Sequence, residues 1–378
     1  MKQLTVVFWG TYDKTKPRNR ILLQGLRENN VKVIECHTEI WTGVEDKSQL
    51  KGVATKLKFL LKWIFAWPVL MFRYTKLPPH DIVVIGYLGQ LDVFFIWLLA
   101  KIRKKPVMLD IFISLYDTIV NDRKIISKWN PLAWAIYLLE WTAFRLTDIN
   151  LIDTKEHCRY ISEEFHIPLT RLKSVFVGIE DEVFFPTTKR SVNNTKNIKI
   201  LFYGQFIPLH GISWIIKAAE LAKDKPFQWT IIGKGQEEKR IKEQLAAANL
   251  DSVTWIPWIK YSQLVNEIHS ADICLGIFGT TQKAARVIPN KVFQIIASGK
   301  PLITMDSPAA RELLAPKPGV YLVPPGNPAA IVNALEKFVN EKKSINLSTL
   351  YSSEKMRITP KAIGKELIAI LNEILRRK

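Results

Sequence analysis

The chain has 378 residues, which is too long for one ordinary hydrophobic core and predicts two domains. Its composition is that of a globular protein, with 48% hydrophobic and 24% charged residues, and no stretch approaches the roughly 20 apolar residues that a membrane-spanning helix needs. Lys and Arg outnumber Asp and Glu by 54 to 35, and the formal net charge of +19 favours phosphates, anionic lipid headgroups or nucleic acid as partners without choosing among them.

The N-terminus and the cysteines indicate the compartment. The first apolar run ends within about five residues and is followed by charged sequence, which is typical of a first strand rather than of a signal peptide. Cys36, Cys158 and Cys274 are far apart and have no Cys-x-x-Cys spacing, so the sequence disfavours a disulfide framework and a zinc site. We therefore expect a cytoplasmic protein.

In the first half of the chain, apolar runs alternate with segments of helical periodicity. Strands are predicted at residues 4–9, 31–35, 81–86, 106–112 and 148–153, and helices at 19–27, 91–102 and 132–145. The first strand ends at Gly10 before a polar loop, which is typical of a ligand-binding crevice in a parallel sheet and equally of an ordinary tight turn. Asp110, Ser114 and Asp117 lie at or just past the carboxyl end of a later strand, where they are expected either to do chemistry or to cap a loop or helix.

The segment at residues 56–76 combines lysines and an arginine with a Trp- and Phe-rich apolar run. Two interpretations remain open: an interfacial membrane helix, or a core helix with charged ends. Pro68 interrupts the segment in either case. Together with the basic run at 101–106, the segment suggests peripheral contact with the anionic inner face of the cytoplasmic membrane.

A polar, turn-rich stretch then separates two similar arrays, because the second half repeats the alternation of strand and helix. Strands are predicted at 198–203, 229–232, 253–256, 273–277 and 301–305, and helices at 212–222, 237–248, 261–270 and 289–298. The predicted fold class is α/β, with two doubly wound Rossmann-like domains and a cleft between them. We expect an N-terminal domain at 1–185, a linker at 186–197, a second domain at 198–350, and a C-terminal helix at 351–378 that packs on the N-terminal domain.

The predicted helix at 289–298 has features of an anion site. Pro289 suits its opening turn, and Ser298-Gly299 supplies a stop. Lys291 and Gln294 share its polar stripe, since they lie three residues apart. A helix N-terminus that carries a lysine favours negative charge, and the sequence therefore predicts a phosphate site here.

Four segments of the chain follow one another in a set order. They are VFVGIEDEVFFP at 175–186, FYGQFIPLHGI at 202–212, IPNKVFQIIASGKPLIT at 288–304, and RELL at 311–314 before GVYLVPPGNP at 319–328. Together they resemble the signatures of the family 4 glycosyltransferases of the GT-B fold, retaining enzymes that use nucleotide sugars, among them those of cell-surface polysaccharide and glycolipid synthesis. The resemblance covers roughly 180 residues, and the first half of the chain shares only the family's pattern.

The resemblance implies positions for the donor and for catalysis. Donor-binding residues would be Gly10, Gln205, His210, Gly233, Arg286, Lys291, Gln294 and Glu312. The catalytic candidates are Asp110, Asp117, His210 and Lys291. Cations at the leaving diphosphate would stabilise its developing charge, and the departing phosphate would take the acceptor proton. No cofactor is expected besides the nucleoside diphosphate sugar as substrate, no DxD-type metal cluster is placed to serve it, and the acceptor would be a glycan or a lipid-linked glycan.

The family's two glutamates, eight residues apart, fall on Arg286 and Gln294, neither of which is acidic. Gln294 still offers an acceptor and a donor pair to a diol. This departure keeps two rivals open: a catalytically inactive GT-B scaffold or binding protein, and a nucleotide-sugar epimerase on the same fold. Nucleic-acid binding is not expected, because the sequence has no helix-turn-helix, zinc-finger or RNP-type pattern and its basic residues are dispersed.

Overall fold

The computed structural model describes residues 3–41, 53–186 and 197–377. They form two compact units, one of residues 1–177 together with 360–378 and the other of residues 178–359. Residues 187–196, which make up nearly all of the expected linker at 186–197, lie outside the described part of the chain.

Strands and helices alternate along both units. The strands are β1 Thr5–Gly10, β2 Lys32–His37, β3 Ile82–Ile85, β4 Val107–Asp110, β5 Ile149–Ile152, β6 Leu172–Ser174, β7 Ile198–Tyr203, β8 Phe227–Ile232, β9 Val253–Ile256, β10 Ile273–Leu275, β11 Leu302–Met305 and β12 Val320–Val323. The helices are α1 Pro17–Glu28, α2 Val53–Thr75, α3 Val93–Ile102, α4 Pro131–Leu146, α5 Lys155–Phe165, α6 Ile212–Leu221, α7 Glu238–Ala248, α8 Tyr261–Ser270, α9 Gln282–Arg286, α10 Asn290–Ala297, α11 Pro308–Leu313, α12 Pro328–Glu341, α13 Ser352–Ile358 and α14 Pro360–Arg376.

The N-terminal unit has a six-stranded sheet in the order β2-β1-β3-β4-β5-β6, and every pair of neighbouring strands is parallel. The four central strands are buried along their whole length, which explains their continuous apolar sequences. Helix α14 packs against α1, where a Cβ atom on Gly25 would lie 2.9 Å from the Cα atom of Gly364. The last helix of the chain is therefore part of the N-terminal unit.

The C-terminal unit repeats the architecture with the order β12-β11-β10-β7-β8-β9, again with parallel neighbours. The predicted α/β class with two doubly wound, Rossmann-like sheets is thus confirmed. In both sheets the first strand lies inside the order, so that strands are added on both sides of it. The loops that follow the first strands, at Gly10 and Gly204, lie where such sheets place their ligands.

Local details differ from the expectations. The strand predicted to extend to residue 112 ends at Asp110, because Phe112 takes a left-handed φ of 47° that a strand cannot contain. A π-helix at Asp117–Asp122 follows, which the sequence did not reveal. The segment at 56–76 falls within helix α2, which continues through Pro68. Among the described residues, no helix is both long and apolar enough to cross a membrane.

Candidate functional site

Two side chains converge beside the glycine that ends β7. Gly204 has a φ of +146°, and a Cβ atom there would lie 2.8 Å from Nζ of Lys291 and 3.0 Å from Cε1 of His210. Glycine is therefore required both by the backbone conformation and by the space. Gly233, at the end of β8, passes so close to Gly204 that a Cβ atom on it would lie 1.9 Å from the Gly204 carbonyl oxygen. The structure thus brings three of the predicted donor residues together around Gly204.

Lys291 is the second residue of α10 and is 5% exposed. Among the described residues its Nζ has no hydrogen-bond partner, and it lies 3.8 Å from the ring centroid of Phe202. Burial lowers the pKa of this ammonium well below its usual value. A buried cation without a partner is costly, and an anion that bound here would remove that cost.

The same helix end adds backbone donors to the ammonium. In the part of the chain that the structure describes, no side chain caps the start of α10, whose Ncap residue is Pro289. The first N–H groups of a helix lack intrahelical partners and carry partial positive charge. The N-terminus of α10 and Lys291 together therefore form a site with the chemistry that binds a phosphate group.

His210 ends the 3₁₀ turn Pro208–His210 and is 8% exposed. Its Nδ1 donates a hydrogen bond to the backbone carbonyl of Gln205, which can only accept, so the proton must be on Nδ1. Its ring packs edge-on against Phe202, with 5.9 Å between the centroids. Gln205 positions His210 through its backbone, while its own side chain is exposed.

Gln294 lies one helical turn beyond Lys291 and is 8% exposed. Its Nε2 donates to the hydroxyl of Tyr261 at 3.2 Å, and that hydroxyl donates in turn to the carboxylate of Glu180. This chain of hydrogen bonds fixes the amide, since the nitrogen must face Tyr261 and the oxygen must face away from it. The carboxylate at the end of these two hydrogen bonds is that of Glu180, while Gln294 stands where the family signature has a glutamate.

Gly233 and the other two predicted donor residues of this unit, Arg286 and Glu312, are partly buried. Gly233 accepts a hydrogen bond of 2.8 Å from the indole of Trp255, which stacks on Phe206. Arg286 ends α9 and is half-buried, and Glu312 lies in α11 and accepts a hydrogen bond from Arg357 at its backbone carbonyl. The donor roles of Arg286 and Glu312 stay predictions.

In the N-terminal unit, Gly10 ends β1 with a φ of +126° against Asp92, whose Oδ2 lies 2.3 Å from the position of a Cβ atom on Gly10. Asp92 is buried and accepts from the backbone N–H of Thr11 at 2.6 Å. Burial raises the pKa of its carboxyl, although the hydrogen bonds from Thr11 and Trp67 oppose this rise. Asp92 stands directly before an apolar helix. An isolated acid in that position is the sequence signal that could have identified Asp92 as a site residue.

Three indoles, which we call the indole cluster, close around the same loop: Trp41, Trp63 and Trp67. Trp63 donates to the Thr11 hydroxyl at 3.0 Å, and Trp67 donates to the Asp92 carboxylate at 2.9 Å. Trp41 donates to the Thr11 carbonyl oxygen at 2.9 Å. The inner side of α2 is therefore attached to the loop that follows β1.

Asp110 is fully buried and is bound by the equally buried guanidinium of Arg18. The Nε and Nη2 atoms of Arg18 donate to the two carboxylate oxygens at 2.9 Å each, and its Nη1 donates to the carbonyl oxygen of Val175 at 2.6 Å. Burial raises the pKa of Asp110, and the charge of Arg18 opposes this rise. The structure thus gives Asp110 an ion-pair partner, while its predicted contact with substrate remains a prediction.

Asp117 begins the π-helix and is buried. The loop before it is held by Glu140, whose carboxylate accepts from the Ser114 hydroxyl at 2.6 Å and from the N–H groups of Leu115 and Tyr116 at 2.7 and 3.0 Å. Burial raises the pKa of Glu140, against the effect of these hydrogen bonds. Glu140 is not among the residues predicted from the sequence, although a single acid in an apolar helix is a readable signal.

The geometry of the chain agrees with its similarity to known proteins. Residues 185–350 match the family model described as glycosyl transferases group 1. The chain is similar in structure to sucrose-phosphate synthase from Thermosynechococcus elongatus, at 14% identity, a TM-score of 0.73 and full coverage of both chains. It is also similar to HepE from Anabaena in complex with UDP-glucose, at 11% identity and a TM-score of 0.65, with coverage of 98% of this chain and 100% of HepE. A third similar structure is the lipopolysaccharide outer core galactosyltransferase WaaB, at 13% identity and a TM-score of 0.59, with coverage of 99% of this chain and 100% of WaaB. The curated protein sequences contain no match to this chain.

The two parallel six-stranded sheets and these structural neighbours define the GT-B fold. The match of residues 185–350 to the model of the group 1 glycosyltransferases confirms the family resemblance over that part of the chain. The matched segment contains Gly204, His210, Lys291 and Gln294, the residues that the structure places around the candidate phosphate site.

Proposed function

We propose that the protein is a retaining, metal-independent transferase that moves a sugar from a nucleoside diphosphate sugar to a glycan or glycolipid acceptor in cell-surface polysaccharide synthesis. The observation that carries the proposal is the buried ammonium of Lys291 at the start of α10, which has no hydrogen-bond partner among the residues that the structure describes. HepE, which shares the fold, has been crystallised with UDP, with UDP and glucose, and with UDP-glucose. A nucleoside diphosphate sugar would supply an anion to pair with Lys291.

The catalytic contribution of the site is electrostatic. When the bond between the sugar and the diphosphate breaks, the leaving oxygen gains negative charge, and Lys291 and the N–H groups of α10 stabilise that charge more strongly than they stabilise the bound donor. His210 adds a donor from Nε2 once its ring is protonated, because Nδ1 already donates to Gln205. These cations occupy the role that a divalent ion has in other transferases, so added EDTA is expected to leave the rate unchanged.

Gln294 is assigned to the donor's ribose. Its amide nitrogen is engaged by Tyr261, so its oxygen is the group that it presents to a hydroxyl. Gly233 and the Trp255 indole behind it form the adjoining turn, where the nucleobase is expected to bind. A screen of nucleoside diphosphate sugars identifies the nucleobase and the sugar of the donor.

Removal of the proton from the acceptor hydroxyl requires no protein base. In the retaining reaction the acceptor hydroxyl attacks the anomeric carbon on the face that the diphosphate leaves, and the departing phosphate oxygen takes the proton. We propose the N-terminal unit for acceptor binding, at the loop that contains Asp117. The protein is proposed to work in the cytoplasm, at the inner face of the membrane, where lipid-linked acceptors are available.

The experiment screens nucleoside diphosphate sugars by thermal shift and then measures released diphosphate with and without acceptor glycans. One donor is expected to stabilise the wild-type protein, and Lys291→Met and His210→Ala are each expected to reduce that stabilisation. Lys239→Met is the matched control, because Lys239 is exposed on α7. If no donor stabilises the folded protein, the proposed function is wrong.

Gln294 favours one competing function, that of a catalytically inactive GT-B protein. An amide lacks the charge of the family glutamate, so a scaffold would bind nucleotide weakly and release no diphosphate. Gln294→Glu tests this alternative, since restored turnover in the variant with none in the wild type would establish it. A nucleotide-sugar epimerase, the other rival, would convert its donor without any acceptor.

A further inference from the structure

The outward side of α2 is apolar, whereas the outward side of an ordinary surface helix is polar. Its exposed side chains recur every three or four residues and form one stripe, made of Leu57, Leu60, Leu61, Ile64, Phe65, Val69 and Phe72. The opposite stripe is also apolar, and its members Phe59, Ala66, Leu70 and Tyr74 are buried. One side of the helix therefore packs into the hydrophobic core, and a second hydrophobic side is exposed to the surroundings.

The two following helices extend this apolar surface, because α3 packs beside α2 and α4 packs beside α3. Their exposed apolar residues, together with the loop before α4, are Phe94, Leu98, Ile102, Ile125, Trp129, Leu132, Trp134 and Leu138. We call this set and the outward stripe of α2 the outer face. Phe65, Ile102 and Trp129 are 71%, 70% and 76% exposed, far above what buried aromatic and branched residues show. One such residue is ordinary on a monomer, but a continuous set over three helices marks an interaction surface.

The charges around the outer face have one sign. Residues 53–146 contain thirteen Lys and Arg and six Asp and Glu. Five of the six acids are buried: Asp92, Asp110, Asp117, Asp122 and Glu140. The sixth, Asp81, accepts a hydrogen bond from the backbone of Thr5 at 2.8 Å. The charge that this segment shows to its surroundings is therefore positive.

The cations lie next to the aromatic side chains. Nζ of Lys76 is 4.2 Å from the ring centroid of Phe72, and Nζ of Lys128 is 5.1 Å from that of Trp129. Lysine stems that lie along aromatic rings, with the ammonium at the edge, are typical of side chains at a membrane interface. Exposed Lys58 and Lys101 add further cations on α2 and α3.

We propose that the outer face docks the protein onto an anionic lipid bilayer. Two copies of the chain are disfavoured as the occupant, because a symmetric pair would bring equal positive charges together. Helix α2 has 23 residues and so a length of about 35 Å, which lets it lie along the interface with its apolar stripe among the acyl chains. This inference deepens the proposed function, on which it rests for the lipid-linked acceptor, although docking itself requires no transfer.

The test is flotation of the full chain with vesicles of 70% phosphatidylcholine and 30% phosphatidylglycerol, compared with phosphatidylcholine alone, at low and high salt. Wild-type protein is expected to float with the anionic vesicles and to lose most of its binding at high salt. Phe65→Ser is expected to weaken binding about tenfold, and Lys58→Gln with Lys101→Gln roughly 30-fold, at about fivefold for each cation. Met356→Ser is the control, because Met356 is 73% exposed on the other unit.

Each outcome separates docking from transfer. Flotation that persists in a protein that binds no nucleotide sugar would refute the proposed function and leave the docking surface intact. Absence of flotation by the wild type, or equal flotation by all variants, would overturn the docking proposal whatever the donor screen shows. A wild-type dimer in lipid-free buffer that Phe65→Ser converts to a monomer would assign the outer face to a second copy and also overturn it.

Discussion

Replacement of Lys291 by Met should stabilise the free protein and weaken its binding of nucleotide. Burial lowers the pKa of Lys291 in the folded unit, so in the unfolded chain the side chain holds its proton more tightly. At neutral pH the burial of Lys291 therefore lowers the free energy of unfolding. This loss of stability disappears only as the pH rises toward the pKa of the unfolded lysine, about 10.4. Methionine keeps the contact with Phe202 and removes this cost.

The two effects can be given rough magnitudes. Each unit by which the pKa is lowered corresponds to about 1.4 kcal/mol, so a gain of at least about 1 kcal/mol, or roughly 2–4 °C in Tm for a unit of this size, is expected. Loss of one partner of a buried charge pair costs about 2–5 kcal/mol, and the lower figure weakens nucleotide binding about 30-fold. At a UDP concentration of 100 times the wild-type Kd, stabilisation then falls from about 2.7 to about 0.9 kcal/mol.

The assay is differential scanning fluorimetry with and without UDP, followed by calorimetry at pH 8 in buffers of different ionisation heat. Wild-type protein should take up protons when UDP binds, because the phosphates raise the pKa of Lys291, and Lys291→Met should take up fewer. Lys239→Met should change neither quantity. A variant that is less stable than the wild type without ligand, or that keeps its full UDP shift, would refute the reasoning.

Three further substitutions test other parts of the structure. Gly204→Ala places a Cβ atom 2.8 Å from Nζ of Lys291 at a φ of +146°, so UDP affinity should fall at least about tenfold by calorimetry, and unchanged affinity would mean that the phosphates bind elsewhere. Asp110→Asn leaves Arg18 buried without its carboxylate and should cost about 3–5 kcal/mol in urea unfolding, whereas a loss below about 1 kcal/mol would show that the pair is dispensable. Burial opposes the ionisation of Glu35, but hydrogen bonds from Lys14, Arg27 and Tyr12 lower its pKa to about 2. Glu35→Gln should therefore cost about 1 kcal/mol at pH 7, and the difference from the wild type should disappear as the pH falls from about 4 toward 2; a difference that stays constant with pH would exclude this ion pair as its cause.

The sequence predicts the repeated architecture well because each central strand is a continuous apolar run buried on both faces. It also points to Lys291, because a helix start, a lysine and a glycine stop are local features. Gly204 lies in the quoted motif, but its contact with Lys291 depends on two segments that are far apart in the chain. Arg18 and Asp110 are 92 residues apart, and no local pattern indicates that they form a pair. A single sequence likewise gives no sign that Gly25 and Gly364 meet where α1 and α14 cross.

The position of α14 has a consequence for biosynthesis. The N-terminal unit includes residues 360–378, whereas the other unit is built from the uninterrupted residues 178–359. At about 5–20 residues per second, translation of the roughly 180 intervening residues takes some ten to forty seconds. During that interval the side of α1 that packs against α14 in the folded protein has no α14 to cover it. A ribosome that stalls before residue 360 would release a chain whose second unit is whole and whose first unit is not.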